Sequence, residues 1–177
     1  VSREGYFETY EVSVLLDYLK VLDNARQDLP LTAVLTSPFA GLTAAELSVI
    51  RLAYPNQLFY EAVEGFCSLS LEEIPETVDK KQAIQVQEKL RKFFEVLDRF
   101  REILPYTAIH DLLAEIIDKT GYGLFISAMP GGAQRQANVE MLVEKARAFE
   151  GTSYKGLFNF VRYIEQLKKY DVDYGEA

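Results

Sequence analysis

The apolar residues Val86, Leu90, Phe93, Leu97, Phe100 and Leu104 recur at intervals of three and four. That interval gathers all six on one stripe of an α-helix, whereas a β-strand, with side chains alternating every second residue, cannot place them on one face. The stripe predicts a helix of roughly 25 residues, ended by Pro105 because proline lacks the amide that a helix interior needs. Lys89, Arg91, Glu95 and Arg99 fall on its outer face.

The same interval runs through most of the chain. Val12, Leu15, Leu16, Leu19 and Leu22 mark an amphipathic helix that starts near Glu8 and fades near Asn24. A short helix over 30–35 stops before Pro38, since the residue preceding a proline is pushed out of helical geometry. Thr43 followed three residues later by Glu46 fits a capping box, so a helix should run from there to Ala53. Asn56 is placed to cap another through Phe66, while residues 67–80 carry no period and read as a loop. Thr107 is placed to cap a helix that ends at Gly121. A short piece over 124–129 leads to a helix over 133–150, with Val139, Leu142, Val143, Ala146 and Phe149 inward. A last helix over 153–169 carries Leu157, Phe160, Val161, Ile164 and Leu167. No strand ladder, internal repeat or low-complexity tract interrupts this series. The reading is all-α: one irregular helical domain over residues 1–177, of seven to nine helices.

Charge narrows the function. A net charge of -8 and a pI near 4.8 exclude a protein that grips nucleic acid over its whole surface, which takes Lys and Arg against phosphates. A small, locally basic contact stays open. No run approaches the roughly 18 apolar residues of a membrane span. The opening residues VSREGYFETYEV lack a signal-peptide layout and do not begin with Met, so the expectation is a cytoplasmic piece of a larger protein. A single cysteine, Cys67, excludes an internal disulfide and reads as a small buried apolar group.

Residue types that carry chemistry are sparse. The one histidine, His110, sits in the first turn of an expected helix and reads as a packed or solvated residue. There is no HExxH, CxxC or GxSxG pattern, so neither a metal site nor a nucleophile with its base emerges. The carboxylate pairs Glu72 with Glu73, Asp171 with Asp173, and Glu11 with Asp17 read as solvated surface. The stretch AMPGGAQRQANVEML, residues 128–142, looks at first like a phosphate loop, but no Lys follows its glycines at Walker spacing. Taken alone, Pro130, Gly131 and Gly132 form a turn between helices. Arg135 and Asn138, three apart, share one side of the next helix and are placed to bond the preceding loop, a neighbouring helix or a phosphate.

Four segments in order resemble one family: YFETYEVSVLLDYLKVLDN, LTAVLTSPFAGLTAAEL, KTGYGLFISAMPGGAQRQANVEMLVEKARAFE and SYKGLFNFVRYIEQL. They resemble the 2B subdomain of the UvrD-like superfamily 1 DNA helicases, and within that family the AddA-type helicase–nuclease subunits that process double-strand breaks. The likeness covers nearly the whole chain and is weakest over 67–86.

The resemblance implies a helical insertion in a motor domain, lying between the later helicase motifs and ending before one that reads TxHxxKGLEF. ATP, Mg and the nuclease centre would then belong to the parent, with no catalytic residue, metal or cofactor in this piece. Arg135, Asn138 and Leu142 match a family helix start of the form RxxN(L/V)xxL, which implies an architectural role for residues 128–142. The stretch Thr36, Ser37, Pro38, Phe39, Ala40, Gly41, Leu42, Thr43 matches a helix-hairpin-helix turn whose amides face duplex phosphates without reading sequence. The implied DNA-contact residues are Thr36, Ser37, Gly41, Leu42 and Thr43. Two departures stand out: Thr43 replaces the second glycine of a GIG-like turn, and Thr36 stands where AddA-like sequences often carry Arg.

Two roles compete. As an accessory subdomain contacting the backbone of double-stranded DNA, the chain should show a positive or neutral patch around residues 36–43 and Lys155. As an interaction module packing on the motor domains of the same chain or on an AddB-like subunit, it should expose apolar residues, with Tyr6, Phe7, Tyr60, Tyr122 and Phe125 as candidates. An insertion also expects Val1 to lie near residues 171–177, and that polar tail to be poorly ordered.

Overall fold

Helix α1 (Tyr10–Asp23) runs through the middle of the molecule, with nine of its 14 residues buried. Val12, Leu15, Leu19 and Val21 are completely so. The expected amphipathic stripe is therefore too narrow a description: α1 is enclosed around most of its circumference, because it packs against α2 (Asp28–Leu35), α5 (Lys80–Ile103), α8 (Gly132–Glu150) and α9 (Leu157–Gly175). The structure, a computed structural model, describes residues 5–175, and side chains as far as Tyr170.

The remaining helices are α3 (Ala44–Ala53), α4 (Phe59–Ser68), α6 (Ile109–Lys119) and α7 (Tyr122–Ser127), with 3-10 turns at Tyr6–Glu8 and Leu104–Tyr106. No strand occurs among the described residues. Helices α3, α4 and α5 pack together, with α2 touching both α1 and α4; α6, α7 and α8 form a second group. One apolar core runs through both groups, from Phe7 to Ile164. The stripe on α5 forms its spine, with Val86, Leu90, Phe93, Leu97 and Phe100 all buried.

Several boundaries differ from the sequence reading. Asn56 does not cap α4; Leu58 occupies the N-cap position with no side-chain bond. Thr107 does not cap α6 either, because its hydroxyl donates backwards to the Ile103 carbonyl at 2.7 Å. α9 begins at Leu157, four residues later than expected, because Gly156 adopts a positive φ of 93° that breaks the helix there. It continues to Gly175, past its expected end at residue 169. Val1 lies outside the described residues, as do Glu176 and Ala177, and with them the expected meeting of the chain ends.

Candidate nucleic-acid interface

The turn between α2 and α3 is closed by its own hydrogen bonds. Thr36 and Ser37 donate their amides to the Thr32 and Val34 carbonyls, both at 3.1 Å. Ala40 and Gly41 donate to the Ser37 carbonyl at 3.2 and 2.7 Å, and Leu42 donates to Leu35 at 2.9 Å. Phe39 donates its amide to the Ser37 hydroxyl at 3.2 Å, and that hydroxyl donates to the Val34 carbonyl at 2.6 Å. Thr43 and Glu46 form the capping box legible in the sequence, each side chain accepting the other's amide at 3.1 Å. Every amide over 36–43 thus has an internal partner, Pro38 having none to give.

The five residues expected to contact DNA divide in two. Ser37 and Leu42 are buried and hold the turn, whereas Thr36, Gly41 and Thr43 are exposed. The Thr36 hydroxyl is occupied by the Thr32 carbonyl at 2.9 Å. Gly41 has φ 73° with open space where a Cβ would stand, so within the protein glycine is needed there for the left-handed conformation. Phe39 locks the turn to the body: its ring lies between those of Tyr18 on α1 and Tyr122 on α7, with centroids 4.3 and 4.5 Å away.

Cationic side chains from other elements surround this turn. Lys89 of α5 donates to the Gly41 carbonyl at 3.1 Å and to the Glu46 carboxylate at 2.7 Å. Burial alone would raise the Glu46 pKa; the Lys89 hydrogen bond, then the Thr43 amide and the Lys89 charge, reverse this and hold it below its ordinary value. Lys89, Lys92 and Lys119 line one hollow of about 250 Å³ with Phe39 and Ala40. The sequence reading assigned Lys89 to an outer face and gave Lys92 and Lys119 no role. The available signal was compositional: α5 carries seven Lys and Arg against four Asp and Glu in a chain of net charge -8. Lys155, expected to share this patch, instead lines a separate hollow with Pro105, Ile109 and Glu150.

The PGG stretch is built differently. Gly131 has φ 71°, and a Cβ on Gly132 would overlap the Ser127 carbonyl. Arg135 donates to the Pro130 carbonyl at 2.9 Å and to Glu11 at 3.2 Å. Glu11 is buried, which corrects its assignment to solvated surface; its neighbour on α1, Val12, faces the core, and Arg135 supplies the charge partner that burial demands. The Asn138 side chain accepts only from Gln134 on its own helix, at 3.0 Å, while its carbonyl accepts the Tyr6 hydroxyl at 2.6 Å. Leu142 is fully buried.

His110 packs against the end of α8. Its amide donates to the Glu150 carboxylate at 2.8 Å, and its Nδ1 lies 2.8 Å from the same oxygen. Burial pushes the Cys67 thiol up to about 11, which leaves it un-ionised at neutral pH. No group of three or more His, Cys, Asp or Glu is placed to hold a metal among the described residues. No described helix is long and apolar enough to cross a membrane. Of the five aromatic residues expected to be exposed, Phe7 and Tyr122 are buried, and Tyr6 and Tyr60 are half-buried. Phe125 is exposed, together with Leu124 and Met141.

Known proteins match this chain along its full length. It is 40% identical over 99% of its residues to the AddA subunit of the ATP-dependent helicase/nuclease of Lachnoclostridium phytofermentans, covering 15% of that protein. The AddA subunits of Bacillus licheniformis and Clostridioides difficile are 41% and 38% identical over 98% of the chain. The chain is homologous to one segment of AddA. It spans about one-seventh of the length of these relatives, 13 to 15%. No family model matches it.

Proposed function

We propose that this chain is the 2B-like accessory subdomain of an ATP-dependent DNA helicase/nuclease acting in double-strand break repair in the cytoplasm, and that it touches the backbone of duplex DNA without reading sequence. The single observation that carries this is homology along the whole chain to one stretch of AddA. On this reading ATP, Mg and bond cleavage belong to the motor and nuclease parts of the parent, with which this subdomain packs. It orients the duplex and is not catalytic alone. The turn over 36–43 stands at the DNA-facing end, with Thr36, Gly41 and Thr43 at its surface and Ser37 and Leu42 holding its shape.

Fluorescence anisotropy of a labelled mixed-sequence duplex tests the reading. The expected result is weak, sequence-independent binding in the non-specific range, about 1–100 μM, that loosens as salt rises. A chain that leaves the duplex untouched at low salt overturns the DNA role.

A second reading has its own observation. Leu124, Phe125 and Met141 are exposed on α7 and α8, and Met141 edges a groove of about 500 Å³ with Ala114, Ile117 and Val143. An apolar surface of this kind suits packing on the motor domains or an AddB-like subunit. Co-purification of the parent protein with that partner, abolished by a Leu124→Glu, Met141→Glu double substitution, would support it.

A further inference from the structure

Duplex binding by a helix-hairpin-helix turn rests on free amides at a helix start. Here the turn itself offers none: all the amides over 36–43 are bonded within it, the Glu46 amide is taken by the Thr43 hydroxyl, and only those of Ala44 and Ala45 at the start of α3 are left without a bond. The Glu46 carboxylate also sits at the first turn of α3, where it complements the positive end of the helix. A phosphate approaching that end meets a negative group already in place. Cations next to the turn offset that charge and supply the attraction the turn amides do not.

We infer that the hollow formed by Lys89, Lys92 and Lys119 beside Phe39 and Ala40 is the phosphate-binding site of this subdomain, and that it takes backbone phosphates of duplex DNA through lysine side chains instead of turn amides. This rests on the duplex-binding reading and names the residues that carry it.

The three lysines divide the work. Lys89 is committed to Glu46 and to the Gly41 carbonyl, so it fixes the wall of the hollow against the turn. Lys92, one helical turn further along α5, is exposed and has no ion pair among the described residues. Lys119, at the end of α6, is exposed and reaches Glu115 only at 3.5 Å, a contact between two solvated groups that a phosphate displaces at little cost. Lys92 and Lys119 are therefore the mobile charges. Their source elements are pinned: Phe39 stacks against Tyr122, the first residue of α7 beyond Lys119, and Phe93 beside Lys92 meets the Tyr18 ring edge-on with centroids 6.2 Å apart. A flexible point charge on a rigid base suits a groove-tracking contact that must accept any sequence.

The test compares the parent chain with a Lys92→Glu, Lys119→Glu double variant in duplex titrations at several salt concentrations. Both positions are exposed, so the fold should survive, which circular dichroism checks. A milder Lys92→Gln, Lys119→Gln pair guards against a folding defect. Affinity should fall roughly tenfold or more, and the slope of log K against log salt should become shallower by about two, one for each phosphate no longer engaged. Lys155→Glu reverses one charge in the other hollow, half the change of the double variant, and should leave affinity within about twofold.

If the parent binds duplex and the lysine variants bind equally well, the inference fails while the duplex-binding reading stands. An equal loss from Lys155→Glu reduces the effect to net charge and also overturns it. A parent that binds no duplex sinks both. Displacement of the duplex by ATP, beyond what its ionic strength explains, would make the hollow a nucleotide site and overturn the assignment to backbone phosphate.

Discussion

The two glycines of the PGG stretch are needed for unlike reasons. Gly131 has a left-handed backbone with empty space beside it, so a side chain there meets strain but no clash. Gly132 is helical, yet its Cβ position lies inside the Ser127 carbonyl. Gly131→Ala should cost about 1–2 kcal/mol, the ordinary penalty for a left-handed L-residue. Gly132→Ala must instead move backbone, and should cost as much as overpacking a core does, about 1–3 kcal/mol, while also loosening the Arg135 contact to Pro130. Urea midpoints measure both; a Gly132→Ala protein as stable as its parent would contradict the close approach. The need for glycine in this turn was legible in sequence. That the second glycine serves α7 packing was not, because the atom it meets lies five residues back on another helix.

Helix ends separate what is local from what is not. The Thr43–Glu46 box was legible because both partners lie within one turn, where chain connectivity alone brings them together. Asn56 and Thr107 are equally good cap residues by type and do not cap, while groups far away in sequence satisfy other helix ends. Arg101 donates to the Val21 and Leu22 carbonyls at the end of α1. Gln87, buried in α5, donates to the Phe66 and Leu69 carbonyls at the end of α4. Glu150 accepts the His110 amide at the start of α6.

The capping box also titrates. Glu46 has a folded pKa below its ordinary 4.5, so its contribution is present above 4.5 and is lost as pH falls through the lower folded value. Asp17 and Asp23 are raised by burial and act in the opposite sense, so the parent's profile mixes both signs. The difference between parent and Glu46→Gln isolates the box. The two urea midpoints should converge as pH drops below about 4.5, with the parent the more stable at neutral pH. A constant difference across that window would mean Lys89 does not hold the ionised form.

At the scale of the whole molecule, three aromatic rings join parts distant in sequence. Phe39 carries the turn, Tyr18 belongs to α1 and Tyr122 to α7, so the stack ties the α3–α5 group to the α6–α8 group and to α1. Their hydroxyls differ. That of Tyr122 donates to the Glu11 carbonyl at 2.7 Å, whereas that of Tyr18 is buried with no hydrogen-bond partner among the described residues. Tyr122→Phe should therefore cost about 1 kcal/mol, and Tyr18→Phe should be neutral or stabilising, since it removes an unpaired buried polar group and keeps the ring. Thermal unfolding of the two variants checks the contrast; a Tyr18→Phe protein as damaged as Tyr122→Phe would reveal a partner for that hydroxyl.

Sequence by itself determined the helical class, most of the inward faces, the α2–α3 turn and the kinship of its segments. Each of these depends on spacing within a few turns of helix or on the order of residues, and both are carried by the linear chain. Tertiary structure alone decided that α1 is central, that Glu11 is a buried partner of Arg135, and that Lys89, Lys92 and Lys119 meet at a turn up to eighty residues away in sequence. Periodicity tells which face of a helix is apolar, but not which other helix that face meets. A charge on an outer face stays anonymous until packing brings its neighbours to it.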